Sequence, residues 1–555
     1  MKSKFLILLM GIAPLAVHSQ HTNLSLNEDY YGLVNRFHIL QNGLSTDLHP
    51  AFRPYSQQFL RMKLDSLMTR VSKKEIFNAQ YLKNDNGAVF GVESSRRPFL
   101  RHFYKTKADL LGVKSDDLDL HANPVLYLSS GYASNTSTPF INTRGFEIRA
   151  LIDNKVGFYT FLTENQARFP EYTRNWISEI NVVPHEAFWK DFKTSGVDFF
   201  TARGYISFNA TKNINVQFGQ DRFFIGNGMR SMILSDFTAP YPFLKVNTRV
   251  WKFQYTNLFA QMKADAFGTL SGSAGTRRYP NKYFAFHHLS FNVKKNFNIG
   301  IFESIMFGRE DSLGNNGFEI SYLNPVIFYR AAEQYNGSED NVILGLDANY
   351  IFRNRFEVYG QFLFDEFLLD EITAGDGWWG NKFAFQVGGK YLNVLGVDNL
   401  DLQVEYNQAR PYTYSHRGIF TNYAHYMQPV AHPLGSNFRE ILANVRFQLL
   451  PELTANARFI YYMKGVDPAG QNFGGNIIEP YNSRVSNYGN ETGQGIRNTV
   501  AYSALNLSFM LKHNLFLDGD FVYRTLDSDA PVQNSDDLIL TLSMRLNIAR
   551  RIHEF

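Results

Sequence analysis

The sequence has no cysteine among its 555 residues. Disulfides, thiolate metal sites and cysteine nucleophiles are thereby excluded, as is a lipid anchor on an N-terminal cysteine. Long apolar runs are missing too. After residue 20 no stretch approaches the roughly 18 consecutive apolar residues of a transmembrane helix. Charge of one sign is scarce: 55 Lys and Arg against 51 Asp and Glu leave a net +4, too little to argue for nucleic acid. His-Glu-x-x-His, P-loop and Gly-x-Ser-x-Gly patterns are absent, and Gly226-Asn227-Gly228 runs into Met229-Arg230-Ser231 rather than a dinucleotide fingerprint. The expectation is a protein that is not an enzyme and carries no cofactor and no metal.

Aromatic residues are abundant, at 15% of the chain, with 50 Phe and 31 Tyr. The chain opens with Met1-Lys2-Ser3-Lys4, an apolar run from Phe5 to Val17, and Ser19. That order reads as a signal peptide over 1–19, with the mature chain starting near Gln20. Between 20 and 124, Leu60, Leu64, Leu67 and Val71 recur at helical spacing, so this region is expected to be a partly helical, periplasmic or plug-like segment.

From Pro124 the period changes to two and stays there. Ile441, Ala443, Val445, Phe447 and Leu449 alternate with Asn444, Arg446 and Gln448; after Leu450-Pro451-Glu452, Leu453, Ala455, Ala457, Phe459 and Tyr461 alternate with Thr454, Asn456 and Arg458. The unit recurs along the chain. Turns are expected at Asp153-Asn154-Lys155, Thr211-Lys212-Asn213, Thr256-Asn257, Lys294-Lys295-Asn296, Arg353-Asn354-Arg355 and Lys512-His513-Asn514. The count is about 18 strands over 125–555. Short turns alternate strictly with longer loops such as 164–200, 222–247, 308–341, 409–437 and 464–498. This pattern predicts an all-β fold, a transmembrane antiparallel β-barrel in the outer membrane with both termini periplasmic and lipid as its surroundings. Two residues sit awkwardly. Glu303 falls on the apolar register of strand 297–307, which implies a bulge or a partner, and Phe555 is out of register with Leu540 to Ile548.

Three loops carry candidate binding residues. Segment 219–245 is too apolar for a free loop and is expected to fold back into the barrel mouth, where Asp221, Arg222, Asn227 and Arg230 could meet a ligand or simply fix the loop. Loop 409–437 holds Tyr412, Tyr414, His416, Tyr423, His425 and His432; an aromatic, hydrogen-bonded loop is favoured over a metal site. Trp378-Trp379 suits either sugar rings or the membrane interface. Arg149, Lys252, Arg446, Arg458, Arg524 and Arg545 are expected to face the lumen beside Glu147, Glu357 and Glu405 and to pair across it.

The Gly-Gln-Asp-aromatic-aromatic-x-Gly-x-Gly element in 219–245 resembles the capsule-assembly Wzi family of outer-membrane proteins. Asn123-Pro124-Val125-Leu126, Asn142-Thr143-Arg144-Gly145, Leu323-Asn324-Pro325-Val326 and His432-Pro433-Leu434-Gly435-Ser436-Asn437 look like its Bacteroidota branch, which includes RemB-like gliding-motility proteins. The resemblance implies an 18-stranded barrel with an N-terminal helical portion on the periplasmic side. It also implies association of capsular or exopolysaccharide with the cell surface, or support of gliding. A porin-like solute channel and a structural partner of an envelope secretion or motility complex are the alternatives.

Overall fold

The computed structural model describes residues 22–57, 72–86, 94–95, 102–135, 137–264, 280–308, 318–326, 328–338, 340–530 and 533–555. The signal peptide and the helical spacing from Leu60 to Val71 lie outside them.

Eighteen antiparallel wall strands close into a barrel. They are β1 Leu118–Ala133, β2 Phe140–Ile152, β3 Val156–Arg168, β4 Gly196–Thr211, β5 Ile214–Asp221, β6 Tyr241–Val250, β7 Phe253–Lys263, β8 Asn281–Lys294 and β9 Phe297–Phe307. The second half comprises β10 Asn341–Phe352, β11 Phe356–Glu366, β12 Lys382–Tyr391, β13 Leu400–Ala409, β14 Phe438–Gln448, β15 Leu453–Val466, β16 Ile496–Lys512, β17 Leu515–Ser528 and β18 Ser535–Leu546. The seam pairs β18 with β1, from Ile539 opposite Ala133 to Leu546 opposite Leu126. Closure leaves no edge strand, so every ladder hydrogen bond is made within the wall. Among the described residues no helix is long and apolar enough to cross a membrane. The crossing is by strands.

Period-two sequence sets the two faces of that wall. Phe459, Tyr461, Leu540 and Leu542 point outward and are exposed, while Arg458 and Tyr462 point inward. At the short-turn end the outward residues become aromatic: Trp251, Phe253 and Phe291 cluster, and Tyr350, Phe352, Phe356 and Tyr391 stack in succession at 4.5–5.8 Å. Such a girdle marks the lipid–water interface. Short turns use residues that tolerate positive φ, as at Asp153 and Asn154 (53° and 52°) and Asn514 (57°).

The lumen is filled. Helix α1 (Glu28–Leu40) starts at Asn27, whose side chain accepts from the Asp29 and Tyr30 amides. Helix α2 (Lys73–Asp85) packs on α1, and the buried Arg36 guanidinium joins Glu75 of α2 at 2.7 Å while also meeting Asp401 of the wall. Arg545 and Arg550 hold Asp29 at 3.3 and 2.9 Å, and Tyr81 and Asp85 reach the β16–β17 turn through Asn514. These contacts fix the helical plug at the short-turn end. Beyond β18 the chain turns back into the lumen, and Phe555 packs on Tyr172 and Trp176 of helix α3 (Glu171–Ile180) in the β3–β4 loop. The terminal Phe is therefore a lumen residue, which is why it misses the wall register.

Several expectations need correction. The β6–β7 turn is Trp251-Lys252, not Thr256-Asn257, so both strands sit several residues earlier than expected. Lys252 belongs to that turn, donating to the Val293 carbonyl at 3.1 Å, and is not on the lumen wall. The first wall strand starts at Leu118, ahead of the boundary drawn at 124. Glu303 sits in regular register, without a bulge.

Candidate functional site

At the long-loop end the mouth is closed by two layers. The inner layer is the β5–β6 loop, residues 222–240, which turns into the barrel as expected. Phe52 and Arg53 of the plug region pair with Ile225 and Phe224 as a two-stranded ribbon. Gly226 (φ +123°) lets the backbone run against Gln361, where a Cβ would lie 2.4 Å from the side-chain nitrogen. The wall serves the loop's backbone. Glu405 of β13, fully buried, accepts from the Met229 and Arg230 amides at 2.8 and 3.1 Å and from the Tyr359 hydroxyl at 2.9 Å. Gln361 accepts from the Met232 amide at 2.7 Å and donates to the Ile225 carbonyl at 2.8 Å. An unpaired buried amide costs about 1–3 kcal/mol, so this seating is specific.

The four candidates in this segment are held by protein partners. Asp221 accepts from the Arg222 amide at 2.9 Å and lies 3.9 Å from Arg203. Arg222 donates to the His185 and Asp236 carbonyls at 3.2 and 3.1 Å. Asn227 donates to Glu357 at 2.9 Å. Arg230 sits 3.4 Å from Glu440 and 3.7 Å from Glu554. Desolvation opposes its charge, but those two carboxylates outweigh it and raise its pKa. Between this loop and the plug lies a chamber of about 400 Å³, lined by Arg36, Arg149, Arg230, Arg446 and Arg458 together with Glu28, Asp29 and Glu147. The lumen charges are paired, but largely with near neighbours or inserted segments: Arg149 with Glu147 two residues away on β2 at 3.1 Å and Arg458 with Glu554 of the C-terminal tail at 2.6 Å, while Glu357 is taken by Lys390 and Glu405 by the loop amides.

The outer layer interlocks the β11–β12, β13–β14 and β15–β16 loops. The Trp379 amide donates to the Asn487 carbonyl at 2.9 Å, the Gly489 amide to Asp376 at 2.8 Å, and the Tyr412 amide to Gly474 at 3.1 Å. Tyr412, Tyr414, Tyr423 and His425 are buried in this layer, with Tyr414 and Tyr423 stacked at 5.7 Å and donating to the Met232 and Ile233 carbonyls at 2.6 and 2.9 Å. They bolt the outer layer to the inner one. The three histidines go to separate partners: His416 to Thr421 at 2.8 Å, His425 to the Lys263 amide at 2.9 Å, and His432 to Glu440 at 2.7 Å. Burial, with Lys382 and Arg417 nearby, pushes His416 down to about 3; burial, with Lys282 close by, does the same to His425.

Trp378 and Trp379 remain half-exposed on this cap. Their rings lie 5.8 Å apart, and Trp379 packs on Tyr481 at 4.8 Å with the Arg484 guanidinium 4.1 Å above its face. Trp379 is thus part of the cap, not of an interfacial girdle. Tyr481 and Arg484 were not singled out from sequence. They sit on a different loop from the tryptophans, and nothing in local spacing joins the two loops.

A family model for the capsule assembly protein Wzi matches residues 118–510, from the first wall strand to the sixteenth. The chain belongs to the Wzi capsule-assembly family. Among solved structures, Wzi of Escherichia coli, an outer-membrane protein involved in group 1 capsule assembly and a carbohydrate-binding β-barrel, is 13% identical; the match covers 96% of this chain and all of that one, with a TM-score of 0.58. Outer membrane protein OprD of Pseudomonas aeruginosa is 12% identical over 78% of this chain and 95% of that one, with a TM-score of 0.41. OccK8 of the same organism reaches 0.42 at 12% identity, covering 77% and 98%. No curated protein sequence matches. The Wzi-family match includes the inward loop and all the outer-layer loops.

Proposed function

We propose that this protein is an outer-membrane barrel that associates capsular or exopolysaccharide with the cell surface. The long-loop cap faces outward and the plug faces the periplasm, where the chain arrives after removal of its signal peptide. The observation that carries this reading is the doubly layered mouth. A solute channel needs a continuous path, whereas here residues 222–240 and the plug are seated by specific hydrogen bonds across the lumen. The exposed face of the cap carries Trp378, Trp379 and Arg484, a flat aromatic and cationic surface suited to sugar rings and to acidic sugars. The E. coli family member's carbohydrate binding supports the same direction. In this proposal Trp378 and Trp379 touch the polymer. Asp221, Arg222, Asn227, Arg230, Tyr412, Tyr414, His416, Tyr423 and His425 hold the surface in shape.

Deletion of the gene, with staining for retained surface polysaccharide, tests the proposal: loss of cell-bound polymer into the medium is expected, and unchanged retention sinks it. The likeness to the RemB-like, Bacteroidota branch extends the reading to gliding supported by that polymer. Colony spreading of the same strain tests that extension, and an envelope secretion or motility partner would appear as a co-purifying protein.

A further inference from the structure

The outer wall carries a polar row where lipid would be expected. Asn257, His287 and Glu303 lie directly opposite one another on the outward faces of β7, β8 and β9. The outward row below is Tyr255, Leu289 and Ile301, and the row above is Phe259, Ala285 and Ile305. The polar row stands four residues above Phe253 and Phe291 of the aromatic girdle. At ~3.3 Å per residue and a tilt of about 40°, that is on the order of 10 Å into an apolar band ~25 Å tall. An uncompensated carboxylate at that depth would be costly. Yet Asn257, His287 and Glu303 are only 3, 6 and 5% exposed.

What covers them is part of the β9–β10 loop folded down the outside of the barrel. Residues 318–326 descend and helix α4 (Tyr329–Asn336) climbs back. Tyr322 packs on Phe307 near the rim at 4.7 Å, and Tyr329 lies on His287 at 4.1 Å. Glu303 accepts from the first two amides of α4, Tyr329 at 2.8 Å and Arg330 at 3.1 Å. The Tyr255 hydroxyl donates to the Pro325 carbonyl at 2.6 Å, and Asn324 accepts from the Val326 amide at 3.1 Å. Arg330 pairs with Glu333 at 2.6 Å. Glu303, Glu333 and the amides that Glu303 takes are therefore buried between lobe and wall, while Ile320, Leu323, Val326, Phe328 and Tyr335 face away from the protein and are exposed, with Asn324, Arg330 and Gln334 as the exposed polar side chains among them. Five large apolar side chains on that outer face outnumber the polar ones, and Arg330 and Gln334 are long enough to carry their polar ends toward the interface. Irregular backbone survives in hydrocarbon only if its polar groups are satisfied by protein, and Glu303 and Tyr255 do that here.

We propose that this lobe is immersed in the bilayer and that its exposed apolar side chains contact lipid acyl chains, continuing the wall's apolar band over a polar anchor. The inference rests on the barrel spanning a bilayer, and the test separates the two. Because the chain lacks cysteine, single cysteines can carry an environment-sensitive fluorophore: Val326→Cys and Phe328→Cys on the lobe, Leu540→Cys on the bare wall, and Arg417→Cys on the cap. The labelled full chain is placed in phosphatidylcholine vesicles with brominated acyl chains, and iodide serves as the aqueous quencher. Bromolipid should quench Val326 and Phe328 labels as strongly as the Leu540 label, with iodide quenching about fivefold weaker than at Arg417. Iodide quenching equal to that at Arg417, or shielding from both quenchers as a protein contact would give, overturns the proposal. Absence of bromolipid quenching at Leu540 itself overturns the bilayer-spanning reading with it.

Discussion

Residues 222–240 leave β5 and turn into the lumen, whereas residues 318–326 and 328–338, between β9 and β10, lie down the outer wall. Each is seated by one wall carboxylate that accepts two successive backbone amides: Glu405 takes Met229 and Arg230, and Glu303 takes Tyr329 and Arg330. The local hydrogen-bonding device is the same; the side-chain polarity around it is reversed. The inward loop buries Phe223, Met232, Ile233 and Leu234 between itself and the wall, and the outward lobe turns Ile320, Val326 and Phe328 away from it. A carboxylate in a barrel wall can thus anchor a loop on either face, and the distribution of apolar residues in the loop decides which solvent it meets.

Water can enter the charged lumen chamber and replace a lost acceptor, but hydrocarbon cannot. Glu303→Ala should therefore cost the more, several kcal/mol for two amides left bare in lipid. Hydrogen exchange at the Tyr329 and Arg330 amides should rise sharply, with partial rescue in Glu303→Gln. Glu405→Ala should cost less, about 1–3 kcal/mol; exchange at Met229 and Arg230 reads it, and an effect larger than that of Glu303→Ala would break the comparison. On the cap, Trp378→Ala should weaken retention of purified surface polysaccharide about fivefold through the loss of one stacking face, with thermal stability of the barrel unchanged. Acidification probes the same cap. His416 and His425 are neutral when folded, with pKa values near 3, whereas the unfolded chain binds protons below about 6.5. Unfolding therefore takes up protons, and cap stability should be intact above pH 6.5 and fall progressively towards pH 3. Trp fluorescence of the cap follows it, and a cap that tightens on acidification would contradict the buried, neutral assignment.

The barrel was legible because its signal is local: alternation and turn chemistry repeat wherever a wall strand forms, and most strands fell where the period placed them. Where reading failed, tertiary contact had overridden local pattern. Thr256 and Asn257 look like a turn because both are polar and adjacent. In the structure one faces the lumen and the other lies under the external lobe. Glu303 signalled that lobe without naming it, since a partner's position cannot be read from one strand's register. Helix α1 escaped notice because its buried side includes Arg36 and His38, which the lumen accepts and a helical apolar stripe would not show. The folding-in of 222–240 was legible from composition, but its partners on β11 and β13 were not. Likewise Trp378-Trp379 stood out, whereas Arg484 reaches Trp379 only through loop interlocking.

Single-channel recording on the full chain in a planar bilayer tests the sealed lumen most directly. No sustained conductance is expected from the native chain. A long-lived open level in the native protein would contradict it, because a mouth seated by Glu405, Gln361 and the stacked tyrosines has no room for one.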